Sequence, residues 1–221
     1  MAAGLQAVVF DFDGTIFDSE TPIYRATAAA LAELGHELTV PGWATVVGHG
    51  EEDSFLALCR AVGAEIDREA FDVGYARQDR SWRDTLPALP GVVELLAELA
   101  HTGIPCGIAS SSPAEWVETH LARLGLRERF TSVATRDRVG GRAKPAPDTY
   151  LLACRELGAE VGRSVAIEDS NPGVTAALAA GLRVVAVPSH ITVHTDLSAA
   201  HLVVGSVAEL TVDALRELAA G

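Results

Sequence analysis

The chain has 221 residues, 48% of them hydrophobic and 5% aromatic, and a formal net charge of −13 at pH 7. That length suits one α/β domain with an insertion, or two small domains, and the Ala-, Val- and Leu-rich composition favours layered helices and strands over an aromatic-rich β-sandwich. A chain this acidic offers no broad basic surface for nucleic acid and no cationic face for anionic lipid, so a phosphate-bearing ligand needs a local positive site from a metal, a lysine or a helix N-terminus.

Leu5 to Phe10 is a short apolar run stopped by Asp-Phe-Asp-Gly, which predicts a buried parallel strand ending in a turn. From Thr21 to about Trp82 the pattern is helical, with Ile23–Leu34 closed by Gly35 and Asp53–Val62 closed by Gly63. No strand-like run interrupts it, which predicts an all-helical insertion with hinges near Phe17–Ser19 and Thr85–Pro90.

After Pro90-Gly91 the pattern alternates: helix Val92–Ala100, strand Ile104–Ala109, helix Pro113–Leu124, strand Phe130–Ala134, helix Asp148–Leu157 and strand Ser164–Ile167. Helix Pro172–Ala180, strand Val184–Val187, strand Leu202–Val204 and a helix near Val212–Ala219 complete it. Ser112 and Glu115 form a capping-box pattern with Pro113 at the first helical position. Such alternation builds a doubly wound, Rossmann-like parallel sheet, with a small helical domain inserted after the first strand. The expected division is a core of residues 1–17 and 86–221 and an inserted domain of residues 18–85.

In such a sheet the strand C-terminal ends share one edge, where ligands bind. That edge collects Asp11 and Asp13 after the first strand, Ser110-Ser111-Ser112 after the second, Lys144-Pro145 after the third, and Glu168-Asp169 after the fourth. Asp11 and Asp13 point the same way in an extended segment while Phe12 packs inward. Neighbouring carboxylates repel unless neutralised, and an oxygen-ligand dication such as Mg²⁺ both neutralises them and binds a phosphate oxygen. One carboxylate can then attack phosphorus, and a second can protonate the leaving alkoxide and later activate water. Lys144 and Ser110 would hold the phosphoryl oxygens, helped by the backbone N–H groups after Ser112.

Asp11-Phe12-Asp13-Gly14-Thr15-Ile16-Phe17-Asp18-Ser19-Glu20 resembles the first motif of the haloacid dehalogenase-like superfamily. Ser110 after Ile108-Ala109 resembles its second, Lys144-Pro145-Ala146-Pro147-Asp148 its third, and Glu168-Asp169-Ser170-Asn171-Pro172-Gly173 its fourth. Order and spacing agree over essentially the whole chain, and the helical insertion resembles the branch with a helical cap at that place. The resemblance implies Asp11 as nucleophile and Asp13 as general acid/base. It implies Mg²⁺ held by the Asp11 carboxylate, the Asp13 carbonyl and Asp169, with Glu168 acting through water. It also implies phosphoryl contacts from Ser110, Ser111 and Lys144. Cap loops face the site in this branch, so His49 and Glu51 in Gly48-His49-Gly50-Glu51 are specificity candidates. Asp169 is also placed to cap the following helix.

Other residues carry weaker patterns. Arg77, Arg80 and Arg83 lie at spacing three, as on one solvated helix face or at the hinge. The pair His190 and His194 lacks acidic companions, and the other histidines show no ligand spacing. Cys59, Cys106 and Cys154 are odd in number, widely spaced and in apolar stretches, as reduced core thiols are. The first ten residues lack a basic region followed by a long apolar run, and no segment approaches a transmembrane length. The expectation is a cytoplasmic protein, a monomer or weak homodimer.

An acid/base Asp two residues after the nucleophile favours phosphoryl chemistry over displacement at carbon. The alternative within the branch is a β-phosphoglucomutase-like phosphosugar mutase. That group usually carries a His where this chain has Ile23 and an Arg where it has Glu51. After the second-motif serines, where this chain has Pro113-Ala114, it commonly carries a basic residue and a polar one such as Asn. Each departure removes a group that would hold a distal phosphate, and Glu51 would repel one. The expected activity is therefore hydrolysis of a singly phosphorylated small metabolite, a sugar phosphate or related acid.

Overall fold

The computed structural model describes residues 4–47 and 51–221, so His49 lies outside the described residues, as does the side chain of Glu51. Six strands form one parallel sheet: β1 (Ala7–Phe10), β2 (Cys106–Ser110), β3 (Ser132–Thr135), β4 (Ser164–Glu168), β5 (Arg183–Ala186) and β6 (Leu202–Val203). The spatial order is β3-β2-β1-β4-β5-β6. Strand succession reverses at β1, which pairs with β2 on one side and β4 on the other. That reversal leaves a crevice beyond the strand ends.

Successive residues of β1 face opposite sides of the sheet. Val8 and Phe10 join an apolar cluster with Ile108, Val165 and Ile167 under helices α6 (Val92–His101), α7 (Ala114–Arg123) and α10 (Val212–Ala220). Val9 joins Ala109, Ala166 and Tyr150 under α8 (Asp148–Leu157) and α9 (Asn171–Ala180). Both faces are covered, so the strands read as continuous apolar runs rather than alternating ones.

Among the described residues between β1 and α6 lie five helices: α1 (Glu20–Glu33), α2 (Val40–Ala44), α3 (Glu51–Val62), α4 (Arg68–Ala76) and α5 (Trp82–Thr85). They build an apolar cluster of their own around Leu31, Trp43, Leu58 and Phe71, which also takes in Ile191.

Three local expectations need correction. The helix after β2 starts at Ala114, with Pro113 as its N-cap and no side-chain cap. Ser112 lies one residue too early to cap it; instead the Asp137 carboxylate accepts the Ala114 N–H at 3.2 Å. The cap of α9 is Ser170, which accepts the Gly173 N–H, and not Asp169. Arg77, Arg80 and Arg83 do not share a helix face, because α4 ends at Ala76 and α5 begins only at Trp82. Arg77 pairs with Glu33, Arg80 lies over the Tyr75 ring, and Arg83 lies over Trp82 and Trp116. No helix among the described residues is long and apolar enough to cross a membrane.

Candidate active site

Register places the chemistry. Phe10 pairs with Ile108 of β2 and with Ile167 of β4, so Asp11 stands level with Ala109 and Glu168, and Ser110 lies one residue further along at the same edge. The Asp11 N–H donates to the Ile167 carbonyl at 2.9 Å, which ties the nucleophile candidate to β4. A cavity of about 150 Å³ over these ends has Asp11, Asp13, Ser110, Ser111, Lys144 and Asp169 in its wall. His190 and His194 are not part of it. His190 instead stands against the Thr21 hydroxyl at 3.4 Å, and Thr21 donates to Asp18.

Lys144 is buried, and its ammonium donates to Asp11 Oδ1 and to Glu168 Oε1, the latter at 2.5 Å. Burial disfavours its charge, but the two carboxylates hold its pKa above the ordinary lysine value. The Glu168 carboxylate is fully engaged. Oε1 also accepts from the Tyr150 hydroxyl at 2.8 Å, and Oε2 accepts from the N–H groups of Asp169 and Ser170 and from the Ser170 hydroxyl. Such saturation makes Glu168 an anchor for Lys144 and for the start of α9.

Two glycines allow this packing. Gly14 has φ +85, and a Cβ there would lie 2.3 Å from Asp169 Oδ2. A Cβ on Gly173 would lie 1.8 Å from Glu168 Oε1.

Asp13 is held by three donors: the Ser19 hydroxyl at 2.8 Å, the Trp116 indole N–H at 2.9 Å and the Ser112 hydroxyl at 2.6 Å. Ser112 thus serves Asp13 rather than the helix. The Ser110 hydroxyl accepts the Ser112 N–H at 3.0 Å, and the Ser111 hydroxyl accepts the Lys144 N–H at 3.2 Å. Ser111 therefore pins the lysine loop against the serine loop.

Burial raises the Asp11 pKa to about 7, helped by the Glu168 charge and opposed by Lys144. Asp169 is likewise held well above its usual range by burial and by the Asp11 and Glu168 charges. Among the described residues, Asp11, Glu168 and Asp169 can each offer a carboxylate oxygen, all within 4.8 Å of one another. Acidic groups that ionise only with difficulty, aimed at one point, fit a hard divalent cation. Since Glu168 is saturated, the open donors are those of Asp11 and Asp169.

Glu20, Trp116 and Tyr150 were not singled out from sequence. Glu20 opens α1, is buried, and has its pKa raised to about 8 by burial and by the nearby Asp13 and Asp11 charges. The Trp43 indole N–H leans towards it and favours its anion, without completing a hydrogen bond of normal geometry. An acidic residue closing the first motif and an indole in the first turn after the serines were the available signals.

Residues 5–181 match the family model of the haloacid dehalogenase-like hydrolases. The chain belongs to that family. Protein CbbY of Cupriavidus necator is 34% identical over 215 residues, covering 90% of this chain and 84% of its own. Hexitol phosphatase B of Escherichia coli K12 is 30% identical over 203 residues, 83% of each chain. A haloacid dehalogenase-family hydrolase from Deinococcus radiodurans, solved with bound phosphate and sodium, superposes with a TM-score of 0.78 at 32% identity, covering 98% of this chain and 97% of its own. Within the haloacid dehalogenase-like hydrolases, this chain is a phosphatase.

Proposed function

We propose that the protein is a Mg²⁺-dependent phosphatase that hydrolyses a small monophosphorylated metabolite through a phosphorylated Asp11. The observation that carries this reading is the buried triad Asp11–Lys144–Glu168 at the switch point of the sheet. It presents a carboxylate to a cavity that Asp13, Ser110 and Asp169 also line. Asp11 attacks phosphorus and the ester oxygen departs. Asp13 gives that oxygen a proton, and then takes one from the water that releases phosphate. Ser110 and the Lys144 ammonium hold phosphoryl oxygens, and Ser111 keeps Lys144 in place. The Asp11 carboxylate, the Asp13 carbonyl and Asp169 would hold Mg²⁺, with Glu168 bracing them from behind. When bound, that ion supplies positive charge to the carboxylates and to the phosphoryl oxygens.

The proposed division keeps residues 18–85 as a cap over this edge, and His49 and Glu51 remain specificity candidates from the sequence alone. Relatives named for hexitols put sugar phosphates first in a substrate screen. Among the described residues no cation from residues 18–85 lines either cavity at this edge, which weighs against a mutase holding a second phosphate. The deciding assay is phosphate release from p-nitrophenyl phosphate with Mg²⁺, which should vanish with EDTA. No turnover with Mg²⁺, Mn²⁺ or Co²⁺ overturns the reading. Conversion of β-glucose 1-phosphate to the 6-isomer without net phosphate release transfers the case to the mutase.

The ion should also show in stability. Unfolded, Asp11 and Glu20 ionise near 3.8 and 4.5; folded, they keep their protons to about 7 and 8. The folded state therefore binds more protons across that window, and its stability falls as pH rises through it. Mg²⁺ favours ionised Asp11 and offsets the loss. In melts of EDTA-treated protein, Mg²⁺ is expected to raise Tm by several degrees at pH 8 and by little at pH 5. An equal effect at both pH values contradicts this.

A further inference from the structure

Both oxygens of the Asp13 carboxylate are engaged, and their donors are not alike. Oδ1 accepts from the Ser19 hydroxyl at 2.8 Å and from the Trp116 indole N–H at 2.9 Å, while Oδ2 accepts from the Ser112 hydroxyl at 2.6 Å. A hydroxyl can turn and accept a hydrogen bond in place of giving one, whereas an indole N–H only donates. A proton on Oδ1 would therefore set two donors facing each other at Trp116. A proton on Oδ2 meets a hydroxyl that can turn to receive it or yield its place to another oxygen.

The indole is fixed where it stands. Trp116 lies in the first turn of α7, and its ring centroid is 4.1 Å from that of His120 one turn on, 6.1 Å from Trp82 and 6.3 Å from Phe17. The Arg83 guanidinium lies over the same ring at 5.2 Å. Phe17 stands just before α1 and Trp82 opens α5, so both ends of the helical segment brace the ring. This packing uses the faces and edges of the ring and leaves its N–H for Asp13.

Resting on the phosphatase reading above, we propose that Trp116 is a positioning residue for the acid/base step: its N–H reserves Asp13 Oδ1 as an acceptor and so assigns the transferable proton to Oδ2. In the first step a bond forms between an Asp11 oxygen and phosphorus, and the bond from phosphorus to the ester oxygen breaks. The Oδ2 proton passes to the departing oxygen, and Asp13 is left as the carboxylate that Trp116 and Ser19 stabilise. In the second step a water oxygen takes phosphorus from Asp11 as its proton returns to Oδ2. The Ser112 hydroxyl gives up its place on Oδ2 to the ester oxygen and then to the water.

The test compares phenyl phosphate with p-nitrophenyl phosphate, two esters of nearly one shape, both with Mg²⁺. Nitrophenolate is a weak base and leaves without a proton, whereas phenolate leaves well only when it receives one. Trp116→Phe keeps an aromatic ring against Phe17, Trp82 and His120 and removes the N–H. The expected result is a fall in kcat/KM about tenfold larger for phenyl phosphate than for p-nitrophenyl phosphate, with a melting curve to show that the variant folds. A purely structural role for the ring would lower both alike. Should the variant fail to fold, benzothienylalanine at position 116, which keeps the fused rings and puts sulfur where the N–H was, is read in the same way. Equal falls for the two esters, or no fall for either, overturn the inference and leave the phosphatase reading standing. Wild-type turnover of p-nitrophenyl phosphate but not of phenyl phosphate does the same, because only a leaving group that needs no proton is then accepted. No wild-type turnover of either ester overturns both.

Discussion

Asp11→Asn should lower phosphate release by at least about four orders of magnitude while leaving the fold intact. A carboxamide has the shape of a carboxylate but cannot attack phosphorus, so the covalent step loses its nucleophile. Stability should move the other way. Asp11 is buried beside the Glu168 charge, and its ionisation is pushed up to about 7. An amide removes that repulsion, and its oxygen can still accept from Lys144. At pH 8 the variant is therefore expected to melt at or above the wild-type temperature, and its response to Mg²⁺ should shrink because one charged donor is gone. Thermal melts and a phosphate-release assay on the same preparation check both halves. Residual turnover within tenfold of wild type would remove Asp11 from the nucleophile's role.

The elements that local chemistry specifies were legible in the sequence. Helix α8 runs Asp148–Leu157 as expected, because Pro145 and Pro147 stop any earlier start and Gly158, at φ +64, ends it. The six strands fall within two residues of their expected ends, and the four that are buried throughout, β1 to β4, are unbroken apolar runs bounded by turns. The strand order then brought residues from four distant segments together without further information.

Pairings set by tertiary packing were not legible. Ser112 looks like a helix cap from its neighbours, yet its hydroxyl reaches Asp13, 99 positions away. Trp116 sits 103 positions from the same carboxylate. Tyr150 reads as one more apolar residue of α8 until β4 brings Glu168 against its hydroxyl. The helical segment was legible in kind but not in detail, because α2 and α5, at five and four residues, are too short to show a period.

Lys144→Met should be the most damaging single change to stability in the site. The side chain is 2% exposed, and its ammonium stands between two buried carboxylates, Asp11 and Glu168. A methionine fills similar volume but leaves those carboxylates facing each other with no cation. Removing one partner of a buried ion pair costs roughly 3–5 kcal/mol. The loss has a pH signature that a simple packing defect lacks. With the lysine gone, the folded protein holds the Asp11 proton to still higher pH, while the unfolded chain ionises as before. The deficit should therefore be small near pH 5 and grow as pH rises towards 8, and Mg²⁺ should recover part of it by replacing the missing charge. Activity should fall about 10²- to 10³-fold even where the protein is folded, since a phosphoryl oxygen loses its fixed cation. Lys144→Arg should not restore it, because a planar guanidinium does not fit the slot that a compact ammonium fills between Asp11, Glu168 and the Tyr150 ring, 5.0 Å away. Denaturation curves at the two pH values, with and without Mg²⁺, distinguish this account from a cavity effect, whose size would not change with pH.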